Sequence, residues 1–182
     1  MAFKKNITVF RDRGFTLIEM LIVVAITAML SSLLIIYSRT GEYQIVLFRE
    51  QSKLASAIFR AKTLNVATFG GVEAPCGYGV HLDQSGSYFI YRIFPQGGED
   101  CSTVAKKYVD GQSEKFESDF SLPSTIGFVN FDVSDIFFMP PNPDTYIFSN
   151  ASAADAKIIL SITETGSLST VTVTRAGQIT AQ

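Results

Sequence analysis

Cys76, Cys101 and His81 are the side chains of this chain best suited to nucleophilic or metal chemistry, and their number sets a first limit. A zinc centre takes a full set of cysteine, histidine or carboxylate ligands, and an activated thiol needs a base that a third group orients. One histidine and two well-separated cysteines supply neither. Glu99 and Asp100 follow Gly97 and Gly98, and Glu114, Glu117 and Asp119 gather around Lys115. Calcium takes about six or more oxygens, and neither group has that spacing, so both read as solvated loop charge. Lys106 and Lys107 are too few for a phosphate footprint. The aromatics Tyr88, Phe89, Tyr91, Phe94, Phe137 and Phe138 read as core or cross-strand pairs, not as a ligand platform. No catalytic residue, metal ligand or cofactor is therefore expected. The chemistry that remains lies at the N-terminus, in the Gly14–Phe15 bond and the carboxylate of Glu19.

From Phe15 to Tyr37 the chain carries one charge, Glu19. As a helix this stretch reaches roughly 34 Å, enough to span a bilayer core of about 30 Å. A secretory signal has a shorter apolar core, about 7 to 15 residues, and its small-residue cleavage site comes after that core. Here the small residue comes first. A cut between Gly14 and Phe15 would remove the basic leader and leave the hydrophobic helix on the mature chain. Lys4, Lys5, Arg11 and Arg13 precede the span, whereas Ser38 to Ser52 hold only Arg39 and Arg49, so the leader is expected in the cytoplasm. An ionised carboxylate near one end of a spanning helix costs on the order of 2 to 3 kcal/mol unless it is paired or neutralised, so Glu19 needs a partner.

The run GFTLIE followed by MLIVVAITAML resembles the N-terminus of type IV prepilins and pseudopilins. That resemblance implies a membrane-embedded prepilin peptidase that cuts after Gly14 and methylates the new amine of Phe15. It also implies that Glu19, fifth in the mature chain, neutralises the amine of a neighbouring subunit during assembly. The partners it implies are the peptidase, other pilin-like subunits met through the N-terminal helix, the inner-membrane assembly platform and lipid. Nucleic acid is not an expected partner of an acidic mature chain, although related minor pilins of natural transformation bind DNA.

Whole-chain composition hides this organisation, since 182 residues at 47% hydrophobic and net charge -2 describe an ordinary acidic domain. Without the leader, the side chains sum to about -5, which opposes phosphate binding. The expected organisation is a leader over 1–14, a transmembrane helix over 15–37, its extracytoplasmic continuation over 38–69 and one head over 70–182. Cys76 and Cys101 then fall on the side of the membrane where disulfides persist, and a bridge between them is expected.

The helical period continues through Tyr43, Leu47, Leu54, Ile58, Ala61 and Leu64, with Arg49, Lys53, Arg60 and Lys62 between them. Gly41 is the one breaker available, and Gly70 with Gly71 offers a stop. Strands are expected at Tyr78–Leu82 and Ser87–Phe94, joined as a hairpin, and at Lys106–Val109. Ile126–Phe131 and Asp135–Met139 form a candidate pair, followed by the turn cluster Pro140, Pro141, Asn142, Pro143 and Asp144. Ala156–Thr163 and Leu168–Arg175 make the clearest hairpin, and Gln178–Thr180 a last strand. The fold class is α+β: a long N-terminal helix, then a mostly antiparallel β head of two packed sheets or one sheet against the helix.

The order CGYGVHLD, SYFIYRIF, DIFFMPPNPDTYIF, AKIILSIT and STVTVTRAGQI resembles the heads of GspH/FimT-like minor pseudopilins and minor pilins. The functional expectation is a minor subunit of a type II secretion pseudopilus or type IV pilus. The alternative is a filament-displayed module that binds DNA or a secreted substrate.

Overall fold

The structure is a computed structural model that describes residues 15–71, 74–95, 100–117, 119–129, 131–140, 144–149 and 155–182, the side chains of 35–40 excepted. The leader, with Lys4, Lys5, Arg11, Asp12, Arg13 and Gly14, lies outside the described residues, as do Gly97, Gly98, Glu99, Pro141, Asn142 and Pro143.

One helix, α1, runs over Leu17–Ala67. Its second half buries Leu47, Leu54, Ala57, Ile58 and Ala61, the three- and four-residue spacing that marks one face. Contrary to expectation, Gly41 does not interrupt α1. One glycine costs about 1 kcal/mol against alanine, too little to outweigh an intact hydrogen-bond ladder on either side. The chain divides into two compact units one residue later, between Glu42 and Tyr43. Past the helix end, Thr68 N–H still donates to the Leu64 carbonyl at 3.0 Å, and Gly70 takes a positive φ of 81°. Only glycine adopts that conformation without strain, so the stop read at Gly70 and Gly71 holds.

The head carries ten strands among its described residues: β1 Gly77–Leu82, β2 Ser87–Ile93, β3 Ser113–Lys115, β4 Phe120–Ser121, β5 Ile126–Val129, β6 Val133–Met139, β7 Asp144–Ser149, β8 Ala156–Ile162, β9 Leu168–Val173 and β10 Ile179–Ala181. They form two sheets, β3-β2-β1-β6-β7 with β4 also on β2, and β10-β9-β8-β5. Every described pairing is antiparallel.

Both expected hairpins form, β1 with β2 and β8 with β9. The expected pairing of Ile126–Phe131 with Asp135–Met139 does not. β5 joins β8 through Ile126 opposite Ile162, while β6 lies between β1 and β7. The reason is burial: Asp135, Ile136, Phe137 and Phe138 are buried on both faces of β6, which demands a central position. Lys106–Val109 is not a strand either. Tyr108 N–H donates to the Asp135 carboxylate at 3.1 Å instead of to a strand neighbour.

The alternation of the strands splits the interior in two. Tyr78, Val80, Leu82, Tyr88, Ile90, Ile136 and Phe138 face α1, where they meet Leu54, Ile58, Leu160 and Val171 in the main core. Phe89, Tyr91, Ile93 and Phe137 point the other way and are covered by Val104 and Tyr108 in a second cluster beside Cys76 and Cys101. The first sheet is therefore apolar on both faces, and the segment after Cys101 closes its outer one.

Tyr88 lies in the main core, stacked on Phe120 at 5.2 Å between ring centroids. Burial, with the nearby charge of Glu50 adding to it, pushes its phenol up from 10.0 to about 12. The folded state holds this proton more tightly than the unfolded chain, so the stability it confers is present below pH 10.0 and is lost as pH rises to about 12. Urea midpoints of the detergent-solubilised chain are expected to fall across that window, and to fall less for Tyr88→Phe. Equal falls in the two proteins would refute the assignment.

Candidate functional site

The first turn of α1 is built by the residues that follow the expected cleavage bond. Phe15 and Thr16 precede the helix, and Phe15 is 76% exposed. Thr16 caps it. Its carbonyl accepts from the N–H groups of Glu19 and Met20 at 3.1 and 3.2 Å, and its Oγ1 accepts from Glu19 N–H at 3.3 Å. Thr16 and Glu19 thus stand as N-cap and third residue, the T-x-x-E spacing of a capping box. That spacing was visible in the sequence but was masked by the stronger signal of the apolar run. Glu19 also places a carboxylate at the positive end of the helix dipole.

The first half of α1 is made for an apolar medium. Leu17–Leu34 has a mean hydropathy of 2.4, and none of the segment is buried against the rest of the chain. Its few hydroxyls are satisfied locally: Thr27 donates to the Val24 carbonyl at 3.0 Å, Ser31 to Thr27 at 2.7 Å and Ser32 to Met29 at 2.7 Å. Hydroxyls paired to their own helix remove most of the cost of placing them in lipid.

Residues 10–35 match the family model described as the prokaryotic N-terminal methylation motif. The N-terminus of this chain is therefore prepilin-like. No curated protein and no solved structure matches the chain.

The other candidate residues resolve into structural partners. Cys76 and Cys101 are bonded to each other, with Cα atoms 5.1 Å apart, so no described thiol is free for catalysis or metal. His81 Nδ1 lies 2.8 Å from Asp135 Oδ1, and the two residues face each other across β1 and β6. Asp135, which sequence reading passed over, thereby holds His81 and the Tyr108 backbone together at the second core cluster. Only knowledge of the β1–β6 register would have joined it to His81. The carboxylates near Lys115 are each matched by a cation: Glu114 by Arg92 at 2.8 Å, Asp119 by Lys115 at 3.1 Å and Glu117 by Arg60. Paired with Arg92, the Glu114 carboxyl titrates below its ordinary value. Lys106 lies over the Tyr146 ring at 4.8 Å, and Lys115 over Phe89 at 4.1 Å. Among the described residues no group of three or more histidine, cysteine or acidic side chains converges as a metal site.

The second half of α1 is fastened to the head at both ends. Gln51 Nε2 donates to the carbonyls of Thr170 and Gln182 at 3.0 and 2.9 Å, and Lys62 Nζ donates to Gly177 at 2.8 Å. The buried Glu50 accepts from Lys53 at 2.8 Å and pairs with Arg49 at 3.1 Å.

Proposed function

We propose that the chain is a minor pilin or pseudopilin subunit, cut between Gly14 and Phe15, methylated on Phe15 and assembled through α1 into a type II secretion pseudopilus or type IV pilus. The observation that carries this reading is the methylation motif over residues 10–35, laid on a helix that starts at Leu17 and exposes an apolar segment. A short uncapped lead into a capped helix suits proteolysis, because Phe15 lies outside the hydrogen-bonded turn. The subunit sits in the inner membrane with its N-terminus cytoplasmic and its head outside, then passes into the filament. Its partners are prepilin peptidase, other pilin-like subunits, the assembly platform and lipid. The sequence segments of the head resemble those of GspH/FimT-like heads, and its disulfide suits an oxidising compartment. Display of a DNA-binding head gains no support from the cations of the Glu114–Asp119 region, which are matched by acids.

Gly14→Tyr is expected to leave the leader attached, read by intact mass, and normal cleavage in that variant would refute the peptidase assignment. Glu19→Ala is expected to be processed normally yet to enter the filament fraction at least several-fold less well. Undiminished incorporation would remove Glu19 from assembly.

A further inference from the structure

A cleft of about 230 Å³ lies between the end of β2, the start of β3 and the segment that Cys101 ties to the sheet. Each wall is fixed by bonds of its own. The Ile93 carbonyl accepts from the Cys76 N–H at 2.7 Å, and Thr103 turns on the Asp100 carbonyl, donating its N–H at 2.9 Å and its hydroxyl at 2.8 Å. Gln112 and Ser113 both donate their N–H groups to the Val109 carbonyl, at 3.1 and 2.9 Å. The cleft is therefore formed before any ligand arrives.

Among the described residues that line it, none carries a charge. Arg92 lies over the Phe94 ring at 5.0 Å, but its charge is matched by Glu114 at 2.8 Å. The site is neutral, and it has polar groups to spare. The Gln112 carboxamide makes no hydrogen bond to a described residue, which leaves its amide donors and its carbonyl acceptor for a ligand. The main-chain groups of Val104 and Ala105 are likewise unpaired among the described residues, although Val104 is only 7% exposed. Ser113 Oγ accepts from the Val109 N–H at 3.0 Å and keeps its own proton to donate. Ile93, Phe94 and Val104 add apolar surface beside these groups.

The lining excludes most ligand classes. A phosphorylated ligand needs cations and a free amino acid needs both signs of charge, whereas a purely apolar ligand would leave Gln112 and the Val104 main chain unpaired. The volume falls below the roughly 300 to 1,000 Å³ of sites for drug-sized molecules, which leaves room for one ring and its substituents. We infer that the cleft binds one neutral sugar ring, an N-acetylated hexose, either free or as a unit of a glycan chain. Its hydroxyls meet Gln112 and Ser113, its acetamido group pairs with the main chain of Val104 and Ala105, and its apolar face rests on Phe94. The inference does not depend on how the N-terminus is processed.

The test is saturation-transfer NMR of the full chain in a detergent without a sugar headgroup, with N-acetylglucosamine, its linear tetramer and glucosamine as probes. Transfer to N-acetylglucosamine is expected, with a Kd in the millimolar range. Gln112→Ala should weaken it several-fold, and Ala105→Trp, which fills the cleft from an exposed position, should abolish it. Both variants should keep the near-UV circular dichroism of the parent chain, since both positions are exposed. Glucosamine, with a cation in place of the acetamido group, should bind several-fold more weakly. Tighter binding of the tetramer would assign the site to a glycan chain, and equal binding to a free sugar. No transfer to N-acetylglucosamine or its tetramer, or transfer that both variants leave unchanged, would overturn the site.

Discussion

Gly79→Val is expected to leave no cooperatively folded head. A Cβ on Gly79 would sit 2.5 Å from Cζ of Tyr91, 2.6 Å from its hydroxyl and 2.7 Å from Cε1, inside any permitted contact. The ring has nowhere to go. Tyr91 is fully buried, lies 6.0 Å from Phe137 and 5.7 Å from Tyr108 between centroids, and donates its hydroxyl to the Lys106 carbonyl at 3.3 Å. The clash must therefore push β1 away from β2 and β6, the centre of the larger sheet. Overpacking of an ordinary core costs about 1 to 3 kcal/mol, and displacing a central strand costs more, against a total stability of about 5 to 15 kcal/mol. Gly79→Ala should lose at least about 3 kcal/mol, with part recovered by Tyr91→Leu. Gly127→Ala serves as the control, since its Cβ would meet nothing within 4 Å. Near-UV circular dichroism and urea titration would check all four, and a Gly79→Val head with a sharp transition would contradict the packing described.

Removing the disulfide by Cys76→Ser with Cys101→Ser is the second large effect expected. The bridge closes a loop of sequence separation 25. In the chain-entropy account its loss costs about 3 to 4 kcal/mol. For a head of this size that corresponds to about 10 °C in Tm. The consequence should be local before it is global. Val104 and Tyr108 cover Phe89, Tyr91 and Phe137 only while the segment after Cys101 stays on the sheet. His81, Asp135 and the Tyr108 N–H give it a second anchor. Hydrogen exchange over 101–110 should rise well above that of β8 and β9, whose core does not depend on the bridge. An unchanged Tm and unchanged exchange there would refute a stabilising role for the bridge.

What the sequence made legible was local. GFTLIE against an apolar run fixes the register of charge, aromatic and glycine within a few residues, and the strand alternations around Asp83–Gly86 and Glu164–Ser167 name their own partners. What stayed hidden depended on distant register. β7 begins at Asp144, which reads as the end of a proline turn, and is a strand because β6 offers it a ladder from Met139 back to Val133. β4 has two residues, Phe120 and Ser121, and exists because β2 has a free edge beyond β3. Of the glycines of CGYGV, only Gly79 falls within the expected strand Tyr78–Leu82, and Gly77 precedes it. Their need to be glycine comes from Phe137 and Tyr91, one across β6 and the other across β2. Phe48 and Phe59 fall outside the apolar period of Leu47, Leu54, Ile58 and Ala61, and they are exposed where those four are buried.

The reading of this chain as a processed filament subunit turns on one bond. Intact mass and N-terminal peptide sequencing of the chain, recovered from the membranes of a cell that expresses prepilin peptidase, test it directly. The account predicts a mature chain that begins at N-methylated Phe15 and carries nothing of residues 1–14. A chain that still begins at Met1, or one cut anywhere beyond Phe15, would contradict it.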